Sequence, residues 1–247
     1  MVQRITVKAQ QCQGQKLSLE KDQSHYLTTV LRLRAGDTFI AQDGTGQQWL
    51  AALAQQPLVA TIVEHLQPSE PLTASLKLIA ALPKGNSFDQ VVRQTTELGV
   101  THIYPVLSDR TLLKPSEKKL ARWKRIAQEA SEQSERLTVP KISVPMPFKV
   151  CLEQLSGEGD SEESQPELSQ PNSQLNAQSN SQSNELRYLC VARGEVPHLL
   201  TRLMGQRTEK LAPVNSLSIT LAIGPEGGLT NGAPHLGQHT DNAVHLT

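Results

Sequence analysis

The sequence predicts an α/β fold with a mainly parallel sheet, preceded by a small β-rich unit. Three observations carry this. From Ser75 onward, near-continuous apolar runs alternate with segments of helical period, the pattern of a sheet covered on both faces. Before about residue 70 the chain holds short strand-like runs separated by glycine turns. Pro68 and Pro71 bracket the change from one pattern to the other. The chain therefore divides into residues 1–70 and 71–247.

The first unit opens on Met1-Val2-Gln3-Arg4-Ile5-Thr6-Val7, which alternates like a strand. Asp22, a good N-cap, starts a short helix running through Val30. Residues 37–41 and 58–63 read as strands, with Asp43-Gly44 and Gly46 giving turn chemistry between them. In the second unit Leu76–Leu82 is a buried strand. Ser87-Phe88-Asp89-Gln90 offers a capping box, and Phe88, Val91, Val92, Thr95 and Leu98 recur at helical spacing until Gly99 ends the helix. Val100–Val106 is the next strand. Ser116 caps a longer helix with Leu120, Trp123, Ile126, Ala130 and Leu137 turned inward. Strands follow at Leu186–Ala192 and Leu217–Ile223, with a helix over Pro197–Met204 between them.

Residues 156–185 break this order. They are rich in Ser, Gln, Asn and Glu, and from Val150 to Leu186 there are seven acidic residues and no Lys or Arg. Such a segment buries too little apolar surface to offset its ordering entropy, so it reads as a disordered surface insertion.

Composition excludes several classes. Net charge is zero and aromatics are 3%, which argues against wide base-stacking platforms. Cys12, Cys151 and Cys190 are far apart, with no C-x-x-C pair, so neither a disulfide scaffold nor a zinc knuckle is expected. His235, His239 and His245 lack carboxylate or Cys partners at ligand spacing apart from Asp241, and no metal site is expected. No apolar run reaches bilayer length and no signal-peptide core is present, so the chain reads as soluble and cytoplasmic, without a membrane partner.

The strongest chemical signal follows the strand ending at Ile223, where the chain enters Gly224-Pro225-Glu226-Gly227-Gly228. In open α/β sheets ligands bind at the carboxyl ends of strands, and glycines there let the backbone approach a ligand. The loop is neither G-x-G-x-x-G nor a Walker loop, and no phosphate-binding Lys follows it. Taken alone it is either a ligand loop or a tight turn.

The loop resembles the signature of the RsmE family, 16S ribosomal RNA uridine N(3)-methyltransferases of the SPOUT class. Further stretches match in the same order: His25 with Val30-Leu31-Arg32, Asp43-Gly44, Leu82-Pro83-Lys84-Gly85, Thr96-Glu97-Leu98-Gly99-Val100, and Ile103, Pro105 and Arg110. Glu129-Ala130 with Gln133-Ser134 and Arg136, then Val139-Pro140, complete the set. The resemblance implies a PUA-like barrel that helps hold RNA, followed by a SPOUT domain whose chain ends in a trefoil knot. It also implies S-adenosylmethionine as cofactor, 16S ribosomal RNA or the small subunit as partner, and a homodimer. On the residues that match, Ile223, Gly224, Pro225, Glu226, Gly227, Gly228 and Gly194 would hold the cofactor. His25, Arg32, Lys84, Arg110 and Arg136 would contact RNA. His25 reads equally as a cap of local backbone, and Glu97 as a helical partner of Arg93. No catalytic base is assigned.

Lys84 to Lys141 holds eleven Lys and Arg against seven Asp and Glu. Lys118, Lys119, Arg122, Lys124 and Arg125 crowd one helical stretch, either as phosphate contacts or as a solvated face.

One departure stands out. The family's final L-G-x-R-I-L-R-x-E-T-A segment has no counterpart in residues 229–247, and no arginine follows Arg207. The expectation is an incomplete knot and weak S-adenosylmethionine binding. The alternative to an active enzyme is a catalytically defective RNA-binding relative.

Overall fold

A computed structural model describes residues 2–67, 74–108, 111, 115–157, 185–190, 197–206, 217–224 and 243–244. Strands β1 (Arg4–Thr6), β2 (Cys12–Gln13) and β3 (Lys16–Ser18) precede helix α1 (Lys21–His25), which passes into a π-helical turn over Tyr26–Val30. Strands β4 (Thr38–Gln42), β5 (Gln48–Leu53) and β6 (Val59–Leu66) follow. They form one sheet in the order β1-β4-β5-β6-β3-β2. Its inner face carries Leu17, Phe39, Ala41, Ala51 and Ala60, with Leu27 of the π-helical turn packed against them, all fully buried. Sequence periodicity missed β5, because Gln48-Trp49-Leu50-Ala51-Ala52-Leu53 does not alternate. A register shift at Leu50/Ala51 breaks the pleat there. The helix begins earlier than expected, with Glu20 at the N-cap and Asp22 inside the first turn. The Gln23 side chain, accepting from the Glu20 N–H at 2.8 Å, sets that start.

The second sheet is built from β7 (Ala74–Ala81), β8 (His102–Leu107), β9 (Lys141–Ile142), β10 (Met146–Pro147), β11 (Glu185–Cys190), β12 (Leu217–Ile223) and β13 (Ala243–Val244). The order is β10-β8-β7-β12-β11-β13, with β9 also on β8, and every pairing is parallel. Helices α2 (Ser87–Glu97) and α3 (Glu117–Gln133) bury Phe88, Val92, Trp123 and Ile126 against Leu78, Ala80 and Ile103. On the other face α4 (Phe148–Gly157) packs Cys151 and Leu155 against Ile79, Tyr104 and Val106. Adjacent β7 residues thus face opposite layers, which is why the strand is apolar throughout. Helix α5 (Leu199–Gln206) stands between β11 and β12 in the chain.

Several local expectations are corrected. Asn86, not Ser87, is the N-cap of α2, and no side-chain capping bond forms. The inward face is Phe88, Val92 and Thr96, while Leu98 is 73% exposed because the helix has already turned off. Gly99, at φ 90°, donates to the Thr96 carbonyl and Val100 to that of Thr95, a Schellman ending. Helix α3 stops before Leu137, since Glu135 adopts φ 56°. Ser116 is its N-cap, through its main-chain carbonyl rather than its hydroxyl. The insertion is shorter than 156–185: α4 runs to Gly157 and β11 begins at Glu185, while residues 158–184 lie outside the described residues. The tail supplies a strand that the sequence did not announce, Ala243 and Val244 pairing with Leu189 and Cys190. No helix among the described residues is long and apolar enough to cross a membrane.

Candidate cofactor and RNA-binding site

Parallel pairing places the carboxyl ends of β7, β8, β11 and β12 along one edge. Ala80 of β7 sits beside Ile223 of β12, Ile223 beside Cys190 of β11, and Ala81 beside Val106 of β8. Gly224 therefore leaves the sheet next to the loop that carries Pro83, Lys84 and Gly85. Cys190, at the end of β11, lies on its other side. Brief contiguous sequence, plus register, brings three segments far apart in the chain to one edge.

The described residues at this edge combine a partly exposed apolar side chain with a cationic loop. Ala80 and Ala222, near these strand ends, are buried in the clusters on the two faces of the sheet. Ile223, the last residue of β12, is 38% exposed. Lys119 donates from Nζ to the Gly85 carbonyl at 3.2 Å and so pins the loop bearing the exposed Lys84. Burial pushes the Cys190 thiol up to about 11, so it stands at this edge as a neutral group. Burial likewise raises Tyr188, two residues earlier in β11, with the nearby Arg202 charge opposing it. Pro225, Glu226, Gly227, Gly228 and Gly194 lie outside the described residues, as do Arg110 and the tail histidines His235, His239 and His245.

The RNA candidates do not converge. His25 ends α1 and is exposed. Arg32 follows the π-helical turn with φ 58°, a left-handed conformation held by the Leu33 N–H donating to the Leu27 carbonyl at 2.9 Å. Lys84 stands at the carboxyl edge. Arg136 lies at the opposite, amino edge, where its guanidinium holds the last carbonyl of α2. Helix α3, with 17 residues, separates these edges by about 25 Å. Arg93 and Glu97 are both exposed, and the ion pairs among the described residues do not join them; Glu97 instead acts through its main-chain carbonyl.

At the amino edge the first sheet is locked onto the second unit. Arg4 pairs with Glu135 at 3.1 Å, and the Thr6 N–H donates to Glu132 Oε1 at 2.7 Å. The Val139 N–H donates to the Gly44 carbonyl at 2.9 Å, and Thr45 bridges to Thr138. Burial disfavours ionisation of Asp43. Hydrogen bonds from the Thr45 hydroxyl and from the main-chain N–H groups of Thr45 and Gln47 outweigh it and hold the carboxyl below 3.8. Sequence reasoning took Asp43-Gly44 only as a turn. Its contact with Val139 joins positions 95 residues apart, which no local signal announces.

Comparison with known proteins agrees with this architecture. Residues 69–161 match an RNA methyltransferase domain, and residues 19–55 an RNA methyltransferase PUA domain. The ribosomal RNA small subunit methyltransferase E of Synechocystis sp. is 36% identical over 232 residues, covering 94% of this chain and 66% of that protein. That of Bacillus subtilis is 28% identical over 145 residues, 56% of this chain and 57% of the relative. The chain thus spans slightly under two thirds of the first of these relatives and less of the second. The crystal structure of a Neisseria gonorrhoeae ribosomal RNA small subunit methyltransferase E bound to S-adenosyl methionine superposes with TM-score 0.73 at 24% identity, covering 100% of this chain and 90% of that one. A Legionella pneumophila structure in complex with bound cofactor SAM gives TM-score 0.69 at 21% identity, with 100% and 90% covered. The fold is that of the SPOUT methyltransferases with a PUA-like unit before it.

Proposed function

Because the chain belongs to the ribosomal RNA small subunit methyltransferase E family, we propose that it methylates N(3) of a uridine in 16S ribosomal RNA, with S-adenosylmethionine as donor. The observation that carries this reading is the edge where Gly224 emerges between the Lys84 loop and the end of β11. That edge belongs to a chain whose 36% identical relative bears this enzyme's name over 94% of the present sequence.

Ile223, Gly224, Pro225, Glu226, Gly227, Gly228 and Gly194 hold the cofactor. When bound, it supplies an electrophilic methyl group on a sulfonium centre. Transfer of that group to uracil N(3) would depend mainly on positioning, and the N(3) proton would leave to solvent or to an acceptor on the RNA. Gly224, with no side chain, lets the backbone approach the ligand closely. Ile223 excludes water from one side. Lys84, neighbouring the same edge, attracts a phosphate of the substrate strand. His25, Arg32 and Arg110 supply further RNA contacts, together with the Nη1 group of Arg136.

Residues 1–70 act as the RNA-holding unit and residues 71–247 as the transferase, in a homodimer working in the cytoplasm on the small subunit. The reading as a catalytically defective RNA-binding relative is not favoured, given the names its relatives carry and the β13 strand that returns to β11.

The test is transfer of a radiolabelled methyl group to 16S ribosomal RNA or intact small subunits. N(3)-methyluridine blocks Watson–Crick pairing, so reverse transcription should stop at one site. Absence of label in both substrates would remove the activity from this chain.

A further inference from the structure

An open cleft of about 370 Å³ lies where the two sheets meet, between the Asp43-Gly44 turn, helix α3 at Lys124 and Gln128, and the Val139–Lys141 segment. It is separate from the edge where Gly224 emerges. We infer that this cleft is an RNA subsite that takes one nucleotide of the substrate strand, its phosphate on Lys124 and Lys141 and its base against Val139 and Pro140. The inference rests on the RNA methyltransferase reading above.

Charge is the first argument. Among the cations crowding α3, Arg122 is held by Asp89, Arg125 by Glu129, and Lys119 by the Gly85 carbonyl. Lys124 and Lys141 are exposed and have no carboxylate partner among the described residues. The neighbouring acids are engaged elsewhere. Asp43 accepts three hydrogen bonds from its own turn, and Glu132 accepts from the Thr6 N–H and from Gln128 Nε2. Two free ammonium groups over one cleft suit a phosphodiester.

Shape is the second. The cleft is large enough for one nucleotide and too small for a duplex, and Val139, Pro140 and Ile142 give it an apolar wall. It is also preorganised. The Arg4–Glu135 pair, the Thr6–Glu132 bond and the Val139–Gly44 bond fix its sides before any ligand arrives. A ribosomal RNA easily spans the distance from here to the methyl-transfer edge.

The test measures binding of a 16S ribosomal RNA transcript to the full chain across a salt series. The K124Q/K141Q protein should bind at least about fivefold more weakly. Its slope of log K against log salt should be shallower by about 0.7 for each phosphate that is no longer neutralised, with kcat at saturating RNA unchanged. The charge-matched K8Q/K149Q protein gives up two lysines that already have carboxylate partners and should keep the wild-type slope. A transcript carrying 4-thiouridine should crosslink within residues 124–142. If wild-type protein binds and methylates RNA while K124Q/K141Q keeps its affinity and slope, the subsite is overturned and the methyltransferase reading stands. If wild-type protein binds no small-subunit RNA, both fall together.

Discussion

The guanidinium of Arg136 donates two hydrogen bonds to the main-chain carbonyl of Glu97, from Nε at 2.9 Å and from Nη2 at 2.6 Å. Glu97 is the last residue of α2, so its carbonyl lacks an intrahelical donor. A cation at this end also complements the helix dipole. Arg136→Ala should lower stability by about 1–2 kcal/mol, read as a shift in the urea midpoint. Arg136→Lys should recover part of it, since one donor group replaces a fork. An unchanged midpoint in the alanine protein would deny Arg136 this role.

Gly44 is expected to resist substitution more than Gly36. Both have positive φ, at 75° and 94°, so any side chain is strained at either position. A Cβ at Gly44 would also lie 3.1 Å from Val139 Cγ2, whereas Gly36 has nothing within 4 Å. Gly44→Ala should cost about 1 kcal/mol more than Gly36→Ala. Comparable melting temperatures for the two proteins would show that the Val139 contact relaxes freely.

Cys190 should react slowly. Its pKa, pushed up from 9.0 to about 11 by burial, leaves about a hundredfold less thiolate at pH 8 than an ordinary thiol. Iodoacetamide labelling, mapped by mass spectrometry, should favour Cys190 only after denaturation. Between pH 9.0 and about 11 the folded state holds a proton that the unfolded state releases. This contribution to stability is full below pH 9.0 and is lost as pH rises through about 11. Rapid labelling of the native protein at pH 8 would contradict the burial.

Gly224→Val should weaken S-adenosylmethionine binding at least about tenfold by calorimetric titration, because a branched side chain would occupy the edge the cofactor approaches. The melting temperature should change little. A large drop in stability in step with weaker binding would make the glycine a requirement of the turn instead.

Much of the second unit was legible in the sequence. The apolar runs at 76–82 and 217–223 had to be buried strands, and Gly99 had to end a helix, because local chemistry alone decides both. The ordered motifs from His25 to Gly228 named the family, and with it the cofactor and substrate class. Helix α4 was missed because its apolar residues run directly into the polar segment and their period is short. The capping of α2 was misplaced by one residue, since Ser87 and Asn86 are both good caps and only the path of the preceding loop chooses between them.

By itself, the sequence determined the main buried strands and the helices α2 and α3, and that a glycine-rich stretch follows the strand ending at Ile223. The tertiary structure alone decided that this loop lies beside Lys84 while Arg136 is drawn to the opposite edge. It alone closed a cleft between Gly44 and Lys141. The physical reason is that strand order, parallel register and docking of the two sheets are set by contacts between residues tens of positions apart. Local propensity does not encode those contacts.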